Sequence, residues 1–247
     1  MKGRAVAVVL AAALCAGIAV AAPASADVTD VSGSGAFGES VNVSVLGSGS
    51  VTSGPTPSVE LPSGGGGPFT DSLAKVDLPG VLTTELLKVS TEGTKVGSHD
   101  GTATSSAEVN DTTLLAALAS SLEGKPLLKA DVISSECTSK TDGSSGTSKL
   151  VGLEIAGNPV DVSPPPNTTI DVLPGLTVIL NEQIVNGSPG ETGITVNAVH
   201  VKLDVPDIAT GDVILSQSRC RAAGPDVSGS EGPTAATPVT ATPNLTG

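Results

Sequence analysis

The sequence predicts an all-β protein, an antiparallel β-sandwich or jelly-roll-like body with one short helix. Three observations carry that expectation. Small and β-branched residues recur at every second position, as in Val41, Val43 and Val45 or Val151, Leu153 and Ile155, the period of a strand with one wet face. The runs are short and punctuated by Gly, Pro, Asn and Asp, with 30 Gly and 18 Pro in 247 residues, as turns between antiparallel strands require. The chain has two Phe and no Trp or Tyr, so its core must be built from Val, Leu, Ile and Ala, and aliphatic packing can stabilise a domain of this length.

Residues 1–26 are expected to be a secretory signal peptide. Lys2 and Arg4 open the chain, an uncharged stretch runs from Ala5 to Ala22, and Pro23 precedes Ala24-Ser25-Ala26, the small-residue pattern before a signal-peptidase cut between Ala26 and Asp27. A membrane-spanning helix is the rival reading, but the stretch only approaches the lower length limit of a span. Leu14 before Cys15 does not suit a lipoprotein signal. Cleavage leaves 10 Lys and Arg against 25 Asp and Glu, a net charge of −15. No second apolar stretch of spanning length follows, so no stable membrane span is expected after signal removal. That acidity excludes nucleic acid as a partner, because phosphate binding needs clustered cations. The missing Trp and Tyr argue against a stacking sugar groove.

Residues 27–221 are expected to form the secreted β-rich domain, with roughly ten strands at sandwich-like spacing. Ala103, Ser105, Ala107 and Val109 alternate with Thr102, Thr104, Ser106 and Glu108. Ser63-Gly64-Gly65-Gly66-Gly67-Pro68 fits a hairpin loop or hinge, since a phosphate-cradling loop needs a following helix and a lysine. Over 112–123 a short amphipathic helix is expected: Asp111 can cap it, Leu114, Leu115, Leu118 and Leu122 form a stripe, and Gly124 and Pro126 end it. Its polar face lacks basic residues, against a membrane-surface role. Asp77-Leu78-Pro79-Gly80 and Val172-Leu173-Pro174-Gly175 echo one another, as a duplicated hairpin or as two unrelated Pro-Gly turns. Between Ile194 and Val205 the apolar phase changes by one residue, from Ile194, Val196 and Ala198 to Val199, Val201, Leu203 and Val205, the mark of a β-bulge. Past that slip His200 is expected to be a solvated edge residue. Residues 222–247 carry no Lys or Arg and four Pro, the composition of a flexible tail.

In an oxidising compartment Cys137 and Cys220 are expected to pair. Closing that loop restricts the unfolded chain by about 4–5 kcal/mol. A metal site on the two thiols is the alternative, but only His99 and His200 could complete it, and neither stands at ligand spacing.

The body resembles the choice-of-anchor P family of actinobacterial secreted proteins. The resemblance rests on Pro55-Thr56-Pro57-Ser58-Val59-Glu60-Leu61-Pro62, Thr91-Glu92-Gly93-Thr94, Asn167-Thr168-Thr169-Ile170, Leu180-Asn181-Glu182-Gln183, Ile194-Thr195-Val196-Asn197-Ala198-Val199-His200-Val201 and Gly211-Asp212-Val213-Ile214. It covers about residues 40–220. It implies an exported β-rich body and differing C-terminal anchors or none. It implies no known reaction, cofactor or catalytic residue.

Motifs of reaction chemistry are few. No Gly-x-Ser-x-Gly elbow occurs. Ser72-Leu73-Ala74-Lys75 matches Ser-x-x-Lys, but Lys140-Thr141-Asp142-Gly143 interrupts the companion Lys-Thr-Gly. Asp204, Asp207 and Asp212 bracket a turn that could recruit calcium, although Asp-x-Asp-x-Asp-Gly is absent; solvated turn residues are the plainer reading. The Asn-x-Ser/Thr sites at Asn42, Asn110, Asn167 and Asn244 matter only where the host glycosylates. The expectation is a secreted or cell-envelope, non-catalytic β-domain with a structural or adhesive role, no catalytic, metal or cofactor residues, and cell-wall or surface components as partners. An extracellular hydrolase acting on envelope polymers, or a calcium-dependent binding module, is the alternative.

Overall fold

The computed structural model describes residues 30–45, 49–62, 64–94, 101–160, 163–188 and 191–223. The expected signal peptide with its Ala26–Asp27 junction, His99, Asn244 and the tail from residue 224 lie outside the described residues. Among the described residues fifteen strands follow one another: β1 (Gly35–Val45), β2 (Gly49–Glu60), β3 (Gly66–Leu73), β4 (Val76–Leu78), β5 (Leu82–Thr84), β6 (Leu87–Gly93), β7 (Thr102–Leu114), β8 (Leu128–Lys140), β9 (Gly143–Val151), β10 (Glu154–Ile155), β11 (Asn158–Pro159), β12 (Thr168–Leu173), β13 (Leu176–Ser188), β14 (Glu191–Val205) and β15 (Ala209–Ala223). They form two antiparallel sheets. One runs β12-β13-β14-β15-β1-β2. The other has β3-β6-β7-β8-β9 as its ladder, with the β4–β5 and β10–β11 hairpins extending β7 and β8. The sheets pack face to face as a sandwich.

Local chemistry explains the connections. Both Pro-Gly echoes turn a hairpin: Gly80 and Gly175 follow Pro79 and Pro174 with φ of +76° and +83°, the left-handed position that a type II turn reserves for glycine. They close β4–β5 and β12–β13. The glycine run carries the chain from β2 in one sheet to β3 in the other.

The expected helix over 112–123 is corrected. Thr112, Thr113 and Leu114 continue β7, paired with Ala130, Lys129 and Leu128. Asp111 is a positive-φ break within that strand (+49°) rather than a cap. Only Ala116–Ser121 turns, as a 3-10 helix. Cross-strand pairing of β-branched threonines outweighs a helix too short to sustain itself. The leucine stripe is nonetheless buried, with Leu114, Leu115, Leu118 and Leu122 all in the main core. The tail boundary also moves, because β15 runs on to Ala223, where Asp30 and Ala223 exchange backbone hydrogen bonds.

The sandwich has two unlike halves. One holds a large aliphatic cluster that includes Leu82, Leu87, Leu114, Leu128, Ile133, Leu176, Leu180, Val201 and Leu215. The other is lined by small side chains, among them Ala36, Ser105, Ala107, Ser135, Ser139, Ser218 and Ala222, all buried. There the sheets come close enough for Ser216 Oγ to donate to the backbone carbonyl of Ala107 at 2.9 Å, and Cys137 and Cys220 form a disulfide with Cα atoms 5.8 Å apart. Gly146 of β9 lies against Val196, where an added Cβ would stand 2.2 Å from Val196 Cγ2, so no larger residue fits.

A transverse seam separates the halves. Asn181, Ala198, Ser216 and Gly38 stand side by side on β13, β14, β15 and β1, and Asn181 and Ser216 have φ of +51° and +59°. At each strand successive residues are buried where a regular strand would alternate: 180–182 on β13, 196–199 on β14, Leu215 with Ser216 on β15, and Gly38 with Glu39 on β1. The one-residue phase change expected in β14 thus extends across four strands, without altering the pairing register of β14 with β13 or β15.

Removing the disulfide with Cys137→Ala and Cys220→Ala is expected to cost about 2–5 kcal/mol, read from urea unfolding. An unchanged midpoint and slope would contradict its role in holding the narrow half.

Candidate functional site

Two features of the surface are built from in-register strand positions. The first is an open groove of 880 Å³ on the outer face of the β3-β6-β7-β8-β9 ladder. Register places its side chains in two rows. Ser72, Lys88, Glu108, Ser134 and Lys149 form one, and Thr70, Ser90, Ser106, Glu136 and Thr147 the other. The backbones of Ala107 and Ser135, which pair with each other, lie between the rows as part of the floor. Alternation in β6 to β9 puts hydroxyls and charges outward because their neighbours fill the core. Asn110 holds Glu108, its Nδ2 donating to Oε1 at 3.0 Å and also to the carbonyl of Leu86. Lys88 and Lys149 have no ion-pair partner among the described residues.

The second feature lies on the outer face of the six-stranded sheet, at the seam. His200 is the expectation most changed by the structure. It sits on β14, an inner strand of its sheet, with its side chain 13% exposed, not at a solvated edge. Nδ1 lies 2.7 Å from Glu182 Oε2 and Nε2 lies 3.1 Å from Asp212 Oδ1. Carboxylates only accept, so a ring that donates from both nitrogens is an imidazolium. Asn197, 2% exposed, donates to Glu182 Oε2 at 2.6 Å and accepts from Gln217 Nε2 at 2.7 Å. Lys202 Nζ stands 4.0 Å from Glu182 Oε1.

Burial opposes charge on His200. The hydrogen bond to Glu182 and its charge, with the hydrogen bond to Asp212, outweigh burial and the opposing Lys202, so its pKa is raised above the ordinary 6.5. Burial likewise opposes charge on Glu182, but His200, Asn197 and Lys202 hold its pKa below the ordinary carboxylate value. On the inner side of the same seam, burial pushes the Glu39 carboxyl up against a single hydrogen bond from Ser53.

The remaining sequence candidates are placed as follows. Cys137 and Cys220 are bonded and buried. Ser72 lines the groove, whereas Lys75 turns to Asp77 at 3.4 Å, so the Ser-x-x-Lys pair is not brought together. Lys140 and Gly143 flank the β8–β9 turn. Asp212 is engaged by His200, Asp204 pairs with Thr210, and Asp207 lies in the turn between β14 and β15. Among the described residues no cluster of three His, Cys, Asp or Glu is placed to hold a metal ion. No helix there is long and apolar enough to cross a membrane. Asn110 and Asn167 spend their side-chain amides on internal hydrogen bonds.

The groove and the clamp were not singled out in sequence. Lys88, Glu108, Glu136 and Lys149 are ordinary outward positions until the register aligns them. Glu182 is 18 residues from His200, and only the β13–β14 pairing brings them together. Compared with protein-family models, curated proteins and solved structures, the chain has no match.

With His99→Gln leaving a single imidazole, the His200 ring resonance in NMR is expected to titrate above 6.5. Titration at or below that value would contradict the double clamp.

Proposed function

We propose that this chain is a non-catalytic secreted or cell-envelope β-domain with a structural or adhesive role, meeting a cell-wall or surface component through the groove on its larger sheet. The observation that carries the reading is the pair of cross-sheet rows. Hydroxyls of Ser90, Ser106, Ser134 and Thr147 both donate and accept, and Lys88 and Lys149 offer unpaired charges at opposite sides. Such a surface suits a hydroxyl- and acid-bearing polymer held by hydrogen bonds and charge. With no aromatic platform the single contact is weak, and repeated sites along a polymer supply the avidity. The signal-like start of the chain and the resemblance to the choice-of-anchor P family support the same setting. The aspartates considered for calcium carry no such arrangement.

One observation favours a hydrolase as the second reading: Glu108 and Glu136 stand diagonally on adjacent strands within the groove.

Co-sedimentation of the 27–247 protein with insoluble cell-wall preparations tests both. Lys88→Ala with Lys149→Ala is expected to weaken binding about tenfold or more, since a charge-assisted hydrogen bond is worth roughly 1.5–3 kcal/mol. Unchanged binding, or none by the parent protein, would overturn the groove reading. Release of soluble wall fragments that Glu136→Gln abolishes would replace adhesion by hydrolysis.

A further inference from the structure

The seam carries titratable groups on both of its faces. Outside, His200 is held between Glu182 of β13 and Asp212 of β15, with Lys202 from its own strand. Glu182 and Asp212 are the charged side chains that His200 hydrogen-bonds, and Lys202, 4.0 Å from Glu182 Oε1, opposes its charge. Inside, Leu180, Val199, Leu215 and Glu39 form one row across four strands. Glu39 therefore ends an apolar row. It is 0% exposed, Ser53 Oγ donates to Oε1 at 2.8 Å, and Oε2 has no partner. The neighbouring elements present Leu215 from β15, Ser53 and Pro57 from β2 and Leu87 from β6 around residues 38 and 39, with no charged group acting on the carboxyl among the described residues.

Both arrangements require a proton. An unprotonated ring would set one nitrogen lone pair against a carboxylate oxygen. An ionised Glu39 would be a buried charge with one oxygen unsolvated. Between them runs Ser216, whose hydroxyl reaches the other sheet, donating to the carbonyl of Ala107 and lying 3.1 Å from the Ser135 hydroxyl. Ala107 and Ser135 belong to the groove floor.

We infer that the seam is a proton-operated joint: with His200 and Glu39 protonated the four strands are locked across it, and proton loss at rising pH opens the seam and releases the groove floor through Ser216. The joint itself stands on the geometry of the seam; its consequence for binding rests on the groove reading proposed above.

The sign follows from linkage. Both groups bind protons more tightly in the folded chain than in the unfolded one. Their stabilisation is therefore full below the ordinary values of 4.5 for Glu39 and 6.5 for His200, and is lost as pH rises through the raised folded values. Glu182 and Asp30, both lowered, act oppositely, and their contribution is lost in acid. Stability is thus greatest in mildly acidic solution.

Amide hydrogen exchange on the 27–247 protein at pH 5.5 and pH 8.0, corrected for intrinsic rates, tests the joint. Protection at 197–199 and 215–217, and at 106–108 and 134–136, is expected to be lost in part at pH 8.0 relative to pH 5.5. Amides of the β4–β5 hairpin should change less. Glu39→Gln, neutral at every pH and close in shape, should recover part of the protection at pH 8.0. Ser216→Ala should keep the pH response at 197–199 and lose it at 106–108. Protection independent of pH, or lost evenly over both sheets, would overturn the joint. Wall binding that needs Lys88 and Lys149 but ignores pH would overturn the coupling and leave the groove reading intact. A pH-dependent seam in a protein that binds no wall would do the reverse.

Discussion

A β-strand shows alternate residues to its two faces, so a strand that serves two different cores must change phase between them. Here four neighbouring strands change phase together, along Asn181, Ala198, Ser216 and Gly38. Because the residues stand side by side, the pairing of β14 with both neighbours keeps one register from end to end, and the cost falls on backbone conformation, with Asn181 and Ser216 at positive φ. On one side of the line leucines and valines face the second sheet; on the other, serines, alanines and a disulfide do. The outer face is altered too. Glu182, Asn197 and Gln217 fall into one outward row, and His200 lies within reach of Glu182. The core division and the charged clamp are two consequences of one displacement.

The unlike halves explain how the chain folds with so few aromatic residues. In the wide half aliphatic side chains fill the space, and the leucines around the 3-10 turn complete that core. In the narrow half small residues let the backbones approach, so hydroxyl-to-carbonyl bonds and the Cys137–Cys220 bridge replace apolar volume. Less apolar surface is buried there, so the covalent link and the buried hydroxyl bonds carry more of the stability. The same closeness connects Ser216 with the back of the groove.

The fold class was legible in sequence because alternation is local, and the sandwich, the buried leucine stripe, the Pro-Gly turns and the paired cysteines all follow from short-range patterns. The phase change in β14 was legible for the same reason. Its extension across four strands was not: β13 and β15 show it only once their partners are known. The helix over 112–123 failed because leucine spacing reports which residues are buried and not which backbone buries them; Thr112 and Thr113 were claimed by β8. His200 was misplaced because its polar neighbours Lys202 and Asp204 suggest a wet edge, whereas the carboxylates that enclose it arrive from other strands. The groove rows were equally invisible, being defined by register among five strands.

The phase change is tested most directly by thiol accessibility at consecutive positions of β15. Single cysteines introduced at 214, 215, 216 and 217, with the native disulfide intact, are treated with a soluble thiol reagent under native conditions. The structure predicts that Leu215→Cys and Ser216→Cys are both protected while Ile214→Cys and Gln217→Cys react faster. Strict alternation, with 214 and 216 sharing one behaviour and 215 and 217 the other, would show a regular strand and contradict the seam.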